Sequence, residues 1–256
     1  MSAVAIHPLQ GLPEIGLGDP LGELIAVAVR EAGLELADGD AVVVSQKVVS
    51  KAEGRIRSLA ETEPGERARG LAAQLGGDKD PRMVELVLEQ SRRVVRAEHG
   101  VLIVETHGGW ICANGGVDAS NLPGDDLVAL LPADADASAR RIRAELEDAG
   151  GARPAVVIAD SFGRPWRHGQ AEVAIGCAGL VALDDWRGRE DAHGRPLAAT
   201  AIAIADELAA AADLVRDKVA GIPAVLVRGA GRWWCAEDGP GAARSLQRPP
   251  GEDLFR

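Results

Sequence analysis

The sequence predicts an α/β fold of the mixed, α+β kind, in which mixed β-sheets are flanked by helices. Short apolar runs that suit buried strands alternate with amphipathic stretches that suit helices. The chain has 256 residues, 46% of them hydrophobic, which is enough to bury a sizeable core. No internal repeat and no Ser- or Pro-rich linker divides it.

The first elements are a short strand over 3–9 and a helix that follows a Gly- and Pro-rich loop. Asp19 is expected to be the N-cap of this helix, with Pro20 at the first helical position. Apolar residues then recur at helical spacing and predict one buried face, formed by Leu21, Leu24, Ile25, Ala28 and Val29.

The middle of the chain begins with a buried strand over 41–44. It runs into a polar turn and a second piece that is either extended or helical. Helices are expected in the polar stretch 60–78 and in "PRMVELVLEQS", and a strand pair with Gly-rich turns is expected in the region that follows. The amphipathic stretch "ADASARRIRAELEDAGG" predicts a helix that ends in a glycine pair, a natural C-cap.

The last third supplies a central strand in "RPAVVIADS". A short extended piece and a long Ala-rich helix follow in "PLAATAIAIADELAAAADLVRDKVAG", and a late strand in "IPAVLVRG". These elements complete the alternation of strands and helices on which the fold class rests.

Charge and cysteine usage narrow the class of protein. The net charge of −11 argues against non-specific nucleic-acid binding, and it requires that any phosphate ligand be held by local cations, backbone amides or metal ions. The three cysteines are far apart and form no CxxC motif, which indicates reduced thiols. No signal peptide and no apolar run of membrane-spanning length is present, so we expect a cytoplasmic protein without a membrane partner.

The common nucleotide and hydrolase motifs are absent. The sequence contains no GxxxxGK[ST], no GxGxxG after a strand, no GxSxG and no HExxH. Any phosphate chemistry must therefore use another arrangement, and three polar clusters at predicted strand ends are the candidates.

The first cluster, "VVVSQKVVSKAEGR", places Ser45 and Gln46 after three valines. Lys47 and Lys51 are four residues apart, so they share a face if this piece is helical. Lysine is a compact cation that suits phosphate oxygens, although a solvated turn with surface lysines explains the same pattern.

The second cluster, "CANGGVDASN", sets Asp118 three residues before Asn121 on a turn with two adjacent glycines. The glycines permit close approach of the backbone to a ligand, and the carboxylate and amide suit a hard cation and a nucleotide. An Asx-type turn that caps the next element is an equal alternative.

The third cluster follows the central strand in "AVVIADSFGRPWRHGQAEVAIGCAGL". Asp160 is expected where the strand emerges, which is where ligands gather in α/β sheets, and Ser161 adds a neutral oxygen beside it. Arg164 and Arg167 can pair with carboxylate or phosphate through their planar guanidinium groups. We interpret this segment as a loop dense in ligand-type residues.

Asp118 and Asp160 together carry the physical hypothesis. Two carboxylates that converge without a counter-charge repel each other, and a shared divalent metal removes that conflict. Two metals about 3.5–4 Å apart can clamp a transferring phosphoryl group.

Six segments, in this order, resemble the F420 gamma-glutamyl ligase family, the coenzyme F420-0:L-glutamate ligases. They are "GLPEI", "VVVSQKVVSKAEGR", "ANGGVDASN", "ADSFGRPWRHGQAEVAIGCAGL", "ADELAAAADLV" and "GIPAVLVRG". The resemblance covers roughly residues 8–230. Some relatives carry an additional C-terminal nitroreductase-like domain, and we expect the standalone form here.

The resemblance implies a ligase reaction in two steps. GTP phosphorylates the terminal carboxylate of the deazaflavin precursor F420-0, and the amine of L-glutamate attacks the resulting acyl phosphate to form an amide. The resemblance further implies Mg²⁺ or Mn²⁺, K⁺, a homodimer and a two-subdomain fold. We assign 1–90 with 195–245 to a nucleotide-binding subdomain, 91–194 to a metal and substrate subdomain, and 246–256 to a tail.

The resemblance also assigns residues of this chain to roles. The divalent metals are assigned to Asp118, Asp160 and Ser161. The guanine nucleotide is assigned to Leu12, Pro13, Glu14, Ile15, Ser45, Gln46, Lys51, Asn121, Arg216, Asp217, Lys218 and Gly221. At Lys218 the family often has a glutamine that ligates a metal, so either the second metal site is altered or Lys218 binds phosphate directly.

The candidate catalytic residues are Asp118, Asp160, Arg164, Arg167 and His168. The arginines would supply positive charge, and His168 is a candidate general base towards the glutamate amine or else a hydrogen-bonded loop histidine. Two alternatives to the ligase remain: a metal-dependent phosphoesterase that uses the same aspartates, and a non-catalytic protein that binds nucleotide or deazaflavin.

Overall fold

The computed structural model describes residues 3–77, 79–217, 220–238 and 242–253. Its strands are β1 (Ala5–Leu9), β2 (Ala41–Ser45), β3 (Ile56–Ser58), β4 (Ser91–Glu98), β5 (Val101–Thr106), β6 (Ile111–Ala113), β7 (Leu127–Ala129), β8 (Ala155–Arg164), β9 (Arg167–Ala178), β10 (Asp184–Asp185), β11 (Ala201–Ile202) and β12 (Ala224–Arg228). Its α-helices are α1 (Leu21–Glu31), α2 (Gln46–Ala52), α3 (Glu66–Gln74), α4 (Pro81–Glu89), α5 (Ala135–Gly150) and α6 (Ile204–Asp213). The predicted mixed α/β class is confirmed.

A five-stranded sheet in the order β1-β12-β2-β8-β9 forms the centre of the molecule. Only β2 and β8 are parallel within it, and their register pairs Ser45 with Ala159. Valine and isoleucine alternate between the two faces of these strands, so the sheet is apolar on both sides. Helices therefore cover both faces, with α1 and α5 on one side and α6 on the other.

A third apolar cluster lies apart from the large sheet. It joins α3 and α4 to the three-stranded antiparallel sheet β4-β5-β6 and to β7. The division into two subdomains stays a prediction. The large sheet takes strands from both of the predicted segments, and the third cluster draws on residues between 59 and 130.

The start of α1 differs from the expectation. Pro20 occupies the N-cap position, and the carboxylate of Asp19 accepts the backbone N–H of Gly16 at 2.8 Å. Asp19 closes the preceding turn because that local partner competes with the helix terminus for the same carboxylate. The predicted apolar face is confirmed, since Leu21, Ile25, Ala28 and Val29 are buried and Leu24 packs against the same cluster.

The segment after Asp160 is also not a loop. β8 continues to Arg164, and β9 returns from Arg167, with Asp160 opposite Val173 and Ser161 opposite Glu172. Polar residues therefore occupy the free end of a long antiparallel hairpin, where the strands project beyond the apolar core. None of the helices in these parts of the chain is both long and apolar enough to cross a bilayer.

Candidate active site

A cavity of about 460 Å³ opens at the carboxyl edge of the large sheet. Strand β2 ends there beside Ala159 of β8, which continues to Arg164, and the amide of Ser45 donates to the carbonyl of Pro223 at 2.7 Å, just before β12. Strand ends and the loops that follow them thus meet at one place, as expected for ligand sites in sheets of this kind.

Most residues assigned from the sequence line this one cavity. They are Leu12, Pro13, Glu14, Ile15, Ser45, Gln46, Lys51, Asp118, Asn121, Asp160, Ser161, Arg216, Asp217 and Gly221. Their roles as ligand contacts stay predictions. Lys218 lies outside the described residues.

Helix α2 presents its two lysines to the cavity. Lys47 Nζ donates to Asp118 Oδ2 at 2.7 Å and to the hydroxyl of Ser120 at 2.8 Å, while Lys51 forms an ion pair with Glu14. The side chains of both lysines are only 14% and 13% exposed, whereas Glu14 is 81% exposed. The helical spacing thus places two ammonium groups in one cleft.

Gln46 and Ser50 fix this helix in place. The Gln46 amide donates to Ser50 Oγ at 2.7 Å and to the carbonyl of Leu130 at 3.1 Å, and Ser50 Oγ donates to the same carbonyl at 2.6 Å. Both side chains are buried. Gln46 therefore borders the cavity while its amide N–H groups are engaged inside the protein.

Asp160 sits among other carboxylates. Burial, then the charge of Glu172, and then that of Asp118 raise the pKa of Asp160 to about 7, against the backbone N–H of Ser161 and the charge of Lys47, which lower it. Asp160 and Asp118, although 42 residues apart in sequence, thus lie close enough to affect each other's charge.

The pKa of Asp118 is shifted in the opposite direction to that of Asp160. Partial burial is the largest single influence and raises its pKa, but the hydrogen bonds from Lys47 and Ser120 together lower the pKa of Asp118 below its ordinary value. Its carboxylate is therefore charged over the physiological range and is paired with the ammonium group of Lys47.

Glu172 is a third acid of the site that the sequence did not single out. It is 7% exposed, accepts the hydroxyl of Ser161, and pairs with Arg216 at 3.4 Å. Arg216 also donates to the carbonyl of Val43 at 2.9 Å. Ser161 and Glu172 lie opposite each other only because β8 and β9 pair as a hairpin. The prediction of a loop in this segment therefore could not identify the contact.

Sequence reasoning also left out Ser120 and Asp213, which line the cavity. Asp213 ends the Ala-rich helix α6, and its position three residues before Arg216, which was assigned to the nucleotide, is the signal that could have identified it. Ser120 falls inside the quoted "DASN" cluster and donates its hydroxyl to Asp118.

Arg164, Arg167 and His168 lie elsewhere. They are exposed at the tip of the β8–β9 hairpin and do not line the cavity. The Arg164 guanidinium donates to the carbonyl of His168 at 2.6 Å and to that of Gly169 at 3.2 Å, which closes the hairpin turn. The structure does not bring these side chains to the two aspartates, and their catalytic roles stay predictions.

The donor set fits a hard divalent cation. Asp118, Asp160, Glu172 and Ser161 line this cavity, and the charges of Glu172 and Asp118 oppose the ionisation of Asp160, which a bound cation would favour. Among the described residues no three Asp, Glu, His or Cys side chains could by themselves hold a metal ion.

Two lysines and several carboxylates line one cavity at the edge of the sheet, and the ammonium groups suit an anionic ligand. The family described as F420-0:gamma-glutamyl ligase matches residues 11–229. The chain belongs to this family, which confirms the resemblance found in the sequence.

Three relatives illustrate the similarity, each named coenzyme F420:L-glutamate ligase. The protein of Methanothermobacter thermautotrophicus is 42% identical over 254 residues, 99% of this chain and 99% of its own length. That of Methanopyrus kandleri is 42% identical over 257 residues, 100% of this chain and 99% of its own. That of Haloarcula marismortui is 43% identical over 228 residues, 87% of this chain and 86% of its own.

Proposed function

We propose that this protein is a ligase that joins L-glutamate to coenzyme F420-0 through an amide bond, with GTP as the phosphoryl donor. The names of full-length relatives support the ligation. The cavity that gathers Lys47, Lys51, Asp118 and Asp160 supports the use of a nucleotide and is the observation that carries the proposal. The proposal includes a homodimer and K⁺ on the strength of the family resemblance.

The two lysines of α2 would hold the phosphates of GTP. They are anchored on a helix whose first turn is tied to the core, so their positions are set before ligand binds. Each is paired with a carboxylate of the opposite wall, and incoming phosphate oxygens would take over these contacts. The loops around Leu12 and Gly221 flank the same cleft and would enclose the rest of the nucleotide.

Asp118, Asp160 and the Ser161 hydroxyl would hold Mg²⁺ or Mn²⁺. When bound, the cation supplies the positive charge that offsets the phosphates and the transferring group. Glu172, on the opposite strand of the hairpin, accepts the Ser161 hydroxyl, and Arg216 in turn pairs with Glu172, so this chain of contacts would orient Ser161.

The proposed chemistry balances in two displacements. A carboxylate oxygen of F420-0 forms a bond to the γ-phosphorus, the bond from that phosphorus to the bridging oxygen breaks, and GDP leaves. The amine nitrogen of L-glutamate then bonds to the acyl carbon, the carbon–oxygen bond to phosphate breaks, and the amine gives up a proton. The protein's share is positioning and charge neutralisation, since an unactivated carboxylate is a poor electrophile.

Mass spectrometry of the product from F420-0, GTP, Mn²⁺ and L-glutamate tests the proposal. The expected result is a product heavier by one or more glutamyl units, with GDP release that requires both F420-0 and L-glutamate. GDP release at the same rate without either of them would sink the proposal. Hydrolysis of simple phosphate esters would favour the phosphoesterase, and nucleotide binding without turnover would favour a binding protein.

A further inference from the structure

A second cavity of about 240 Å³ lies beside the first, on the sheet face covered by α5. Its walls come from the start of α5, the turn between β5 and β6, and the C-terminal segment around Arg244. It is smaller than the roughly 300–1,000 Å³ clefts that hold drug-sized ligands, so it suits a compact molecule. No residue assigned to the metal or nucleotide lines it.

The two cavities share structural elements. On the loop after β6, Gly115 lines the second cavity and Asp118, three residues later, lines the first. On β9, Ile175 lines the second cavity and Glu172 lines the first. Val173 lies opposite Asp160, and two residues of strand bring the chain from Val173 to Ile175, about 7 Å. Trp110 lines the second cavity, and its ring meets that of Phe162 on β8 edge-on at 6.5 Å between centroids.

Two cationic side chains, Arg55 and Arg244, line the second cavity. Arg55 is fixed, because its Nε donates to the carbonyl of Leu131 at 3.0 Å and its Nη2 to Gln90 Oε1 at 2.7 Å. Arg244 also lines the cavity and is exposed.

Two acids also line this cavity, and both accept hydrogen bonds from backbone N–H groups of the protein. Asp134 accepts the N–H of Ala137 at 2.9 Å, and one oxygen of Asp136 accepts the N–H groups of Cys177 at 2.8 Å and Ala243 at 3.1 Å. These acids keep their negative charge but are engaged by backbone donors, so the arginines are the groups of the lining that can receive a carboxylate.

We propose that this cavity binds the amino-acid co-substrate, a compact dicarboxylate with one amine, and that Arg55 and Arg244 hold its two carboxylates. The amine then points towards β8, the strand that carries both Phe162 and Asp160, where the activated carboxyl group is proposed to form. This inference rests on the proposed function, because it places the second substrate of that reaction.

Steady-state kinetics of the full-length chain test the inference through Arg244→Gln. A charge-assisted hydrogen bond is worth roughly 1.5–3 kcal/mol, so the KM for L-glutamate should rise about 10-fold or more, while kcat and the KM for GTP change little. Arg248→Gln is the matched control, since it removes the same charge from an exposed position four residues away that does not line the cavity. Glutarate should compete with L-glutamate, and L-norvaline, which lacks the second carboxylate, should not.

The possible results distinguish a failure of the proposed glutamate cavity from a failure of the proposed ligase function. Amide formation with an unchanged KM for L-glutamate in both Arg244→Gln and Arg55→Lys overturns the second site and leaves the ligase intact. If the wild-type protein forms no amide, the proposed function fails, and calorimetric titration of L-glutamate into protein loaded with GTP and Mn²⁺ decides on the cavity. Binding that Arg244→Gln weakens supports the site, and no binding to the wild-type protein overturns it.

Discussion

At the scale of single residues, Asp160 is the side chain whose surroundings conflict most with its charge. Burial and the carboxylate of Glu172 oppose its ionisation, while the nearest lysine is engaged by Asp118. Natural proteins retain such a conflict where function requires it, because a neutral side chain of the same shape would fit at lower cost.

Asp160→Asn should therefore separate stability from activity. In the absence of divalent cations the free energy of unfolding should stay within about 1 kcal/mol of wild type or rise, because the amide removes the repulsion with Glu172. Amide formation should fall by at least about 100-fold, because a ligand oxygen is lost where charge develops. Urea denaturation and product quantification measure the two effects.

A loss of stability greater than about 2 kcal/mol in Asp160→Asn would contradict this account, since it would show that the carboxylate supports the fold. The free energy of unfolding of Asp206→Asn serves as a comparison for that of Asp160→Asn. Asp206 also has a pKa raised by burial, but it accepts the N–H of Ala174 at 2.9 Å away from the cavity.

The three thiols should differ in reactivity. Burial, with the charge of Asp160, raises the pKa of Cys112 to about 12, and burial, with the charge of Asp136, raises that of Cys177 to about 12. Cys235 is partly exposed and its pKa is raised less. Because the thiolate is the reactive form, iodoacetamide at about pH 8 should modify Cys235 alone in the folded protein and all three cysteines in urea. Peptide mass mapping checks this, and native modification of Cys112 as fast as that of Cys235 would contradict it.

At the scale of elements, α1 and α5 approach each other closely at one glycine. The N–H of Gly22 donates to Glu145 Oε2 at 2.7 Å, so α5 caps the start of α1. A Cβ on Gly22 would lie 2.4 Å from the Cβ of Glu145 and 2.6 Å from the carbonyl oxygen of Ile142. The backbone of α5 itself is in the way, so the helices would have to separate.

Two glycine-to-alanine changes in helices should therefore have opposite effects. Gly22→Ala should lower the free energy of unfolding by about 1–3 kcal/mol through overpacking. Gly70→Ala is the matched control, because Gly70 is exposed within α3 with no atom within 4 Å of an added Cβ, and it should raise that free energy by about 0.5–1 kcal/mol. Urea denaturation of both variants measures the difference, and equal stabilisation by both would refute the proposed contact.

The elements also show where pattern reasoning succeeded. The spacing of Lys47 and Lys51 required a helix for the two cations to share a face, and α2 is that helix. The prediction of a loop after Asp160 was wrong, because the polar residues of a projecting hairpin have the composition of a loop. Only the pairing of Ser161 with Glu172 across that hairpin revealed the third acid of the site.

At the scale of the whole molecule, the candidate site joins distant parts of the chain. Its walls come from the loop after β1, from α2, from the loop after β6, from the β8–β9 hairpin and from the segment before β12. A ligand that contacts all of these binds the folded state only, so its binding energy adds to the stability of the entire fold.

GTP with Mn²⁺ should consequently raise the melting temperature. At a ligand concentration of 100 times Kd the gain is about 2.7 kcal/mol, which corresponds to several degrees for a chain of this size. Thermal unfolding with and without EDTA measures it, and Asp160→Asn should lose the metal-dependent part of the shift. An unchanged melting temperature at saturating nucleotide and metal would contradict a shared site for them.

The sequence by itself determined the fold class, the buried strands, the apolar helix face and the family. Each of these follows from local periodicity or from short segments in a fixed order, and such signals survive without knowledge of contacts. The tertiary structure alone decided that Asp118, Asp160 and Glu172 line one cavity and that Arg55 and Arg244 line a second. These relations depend on strand register and on the packing of loops far apart in sequence, which no local pattern encodes.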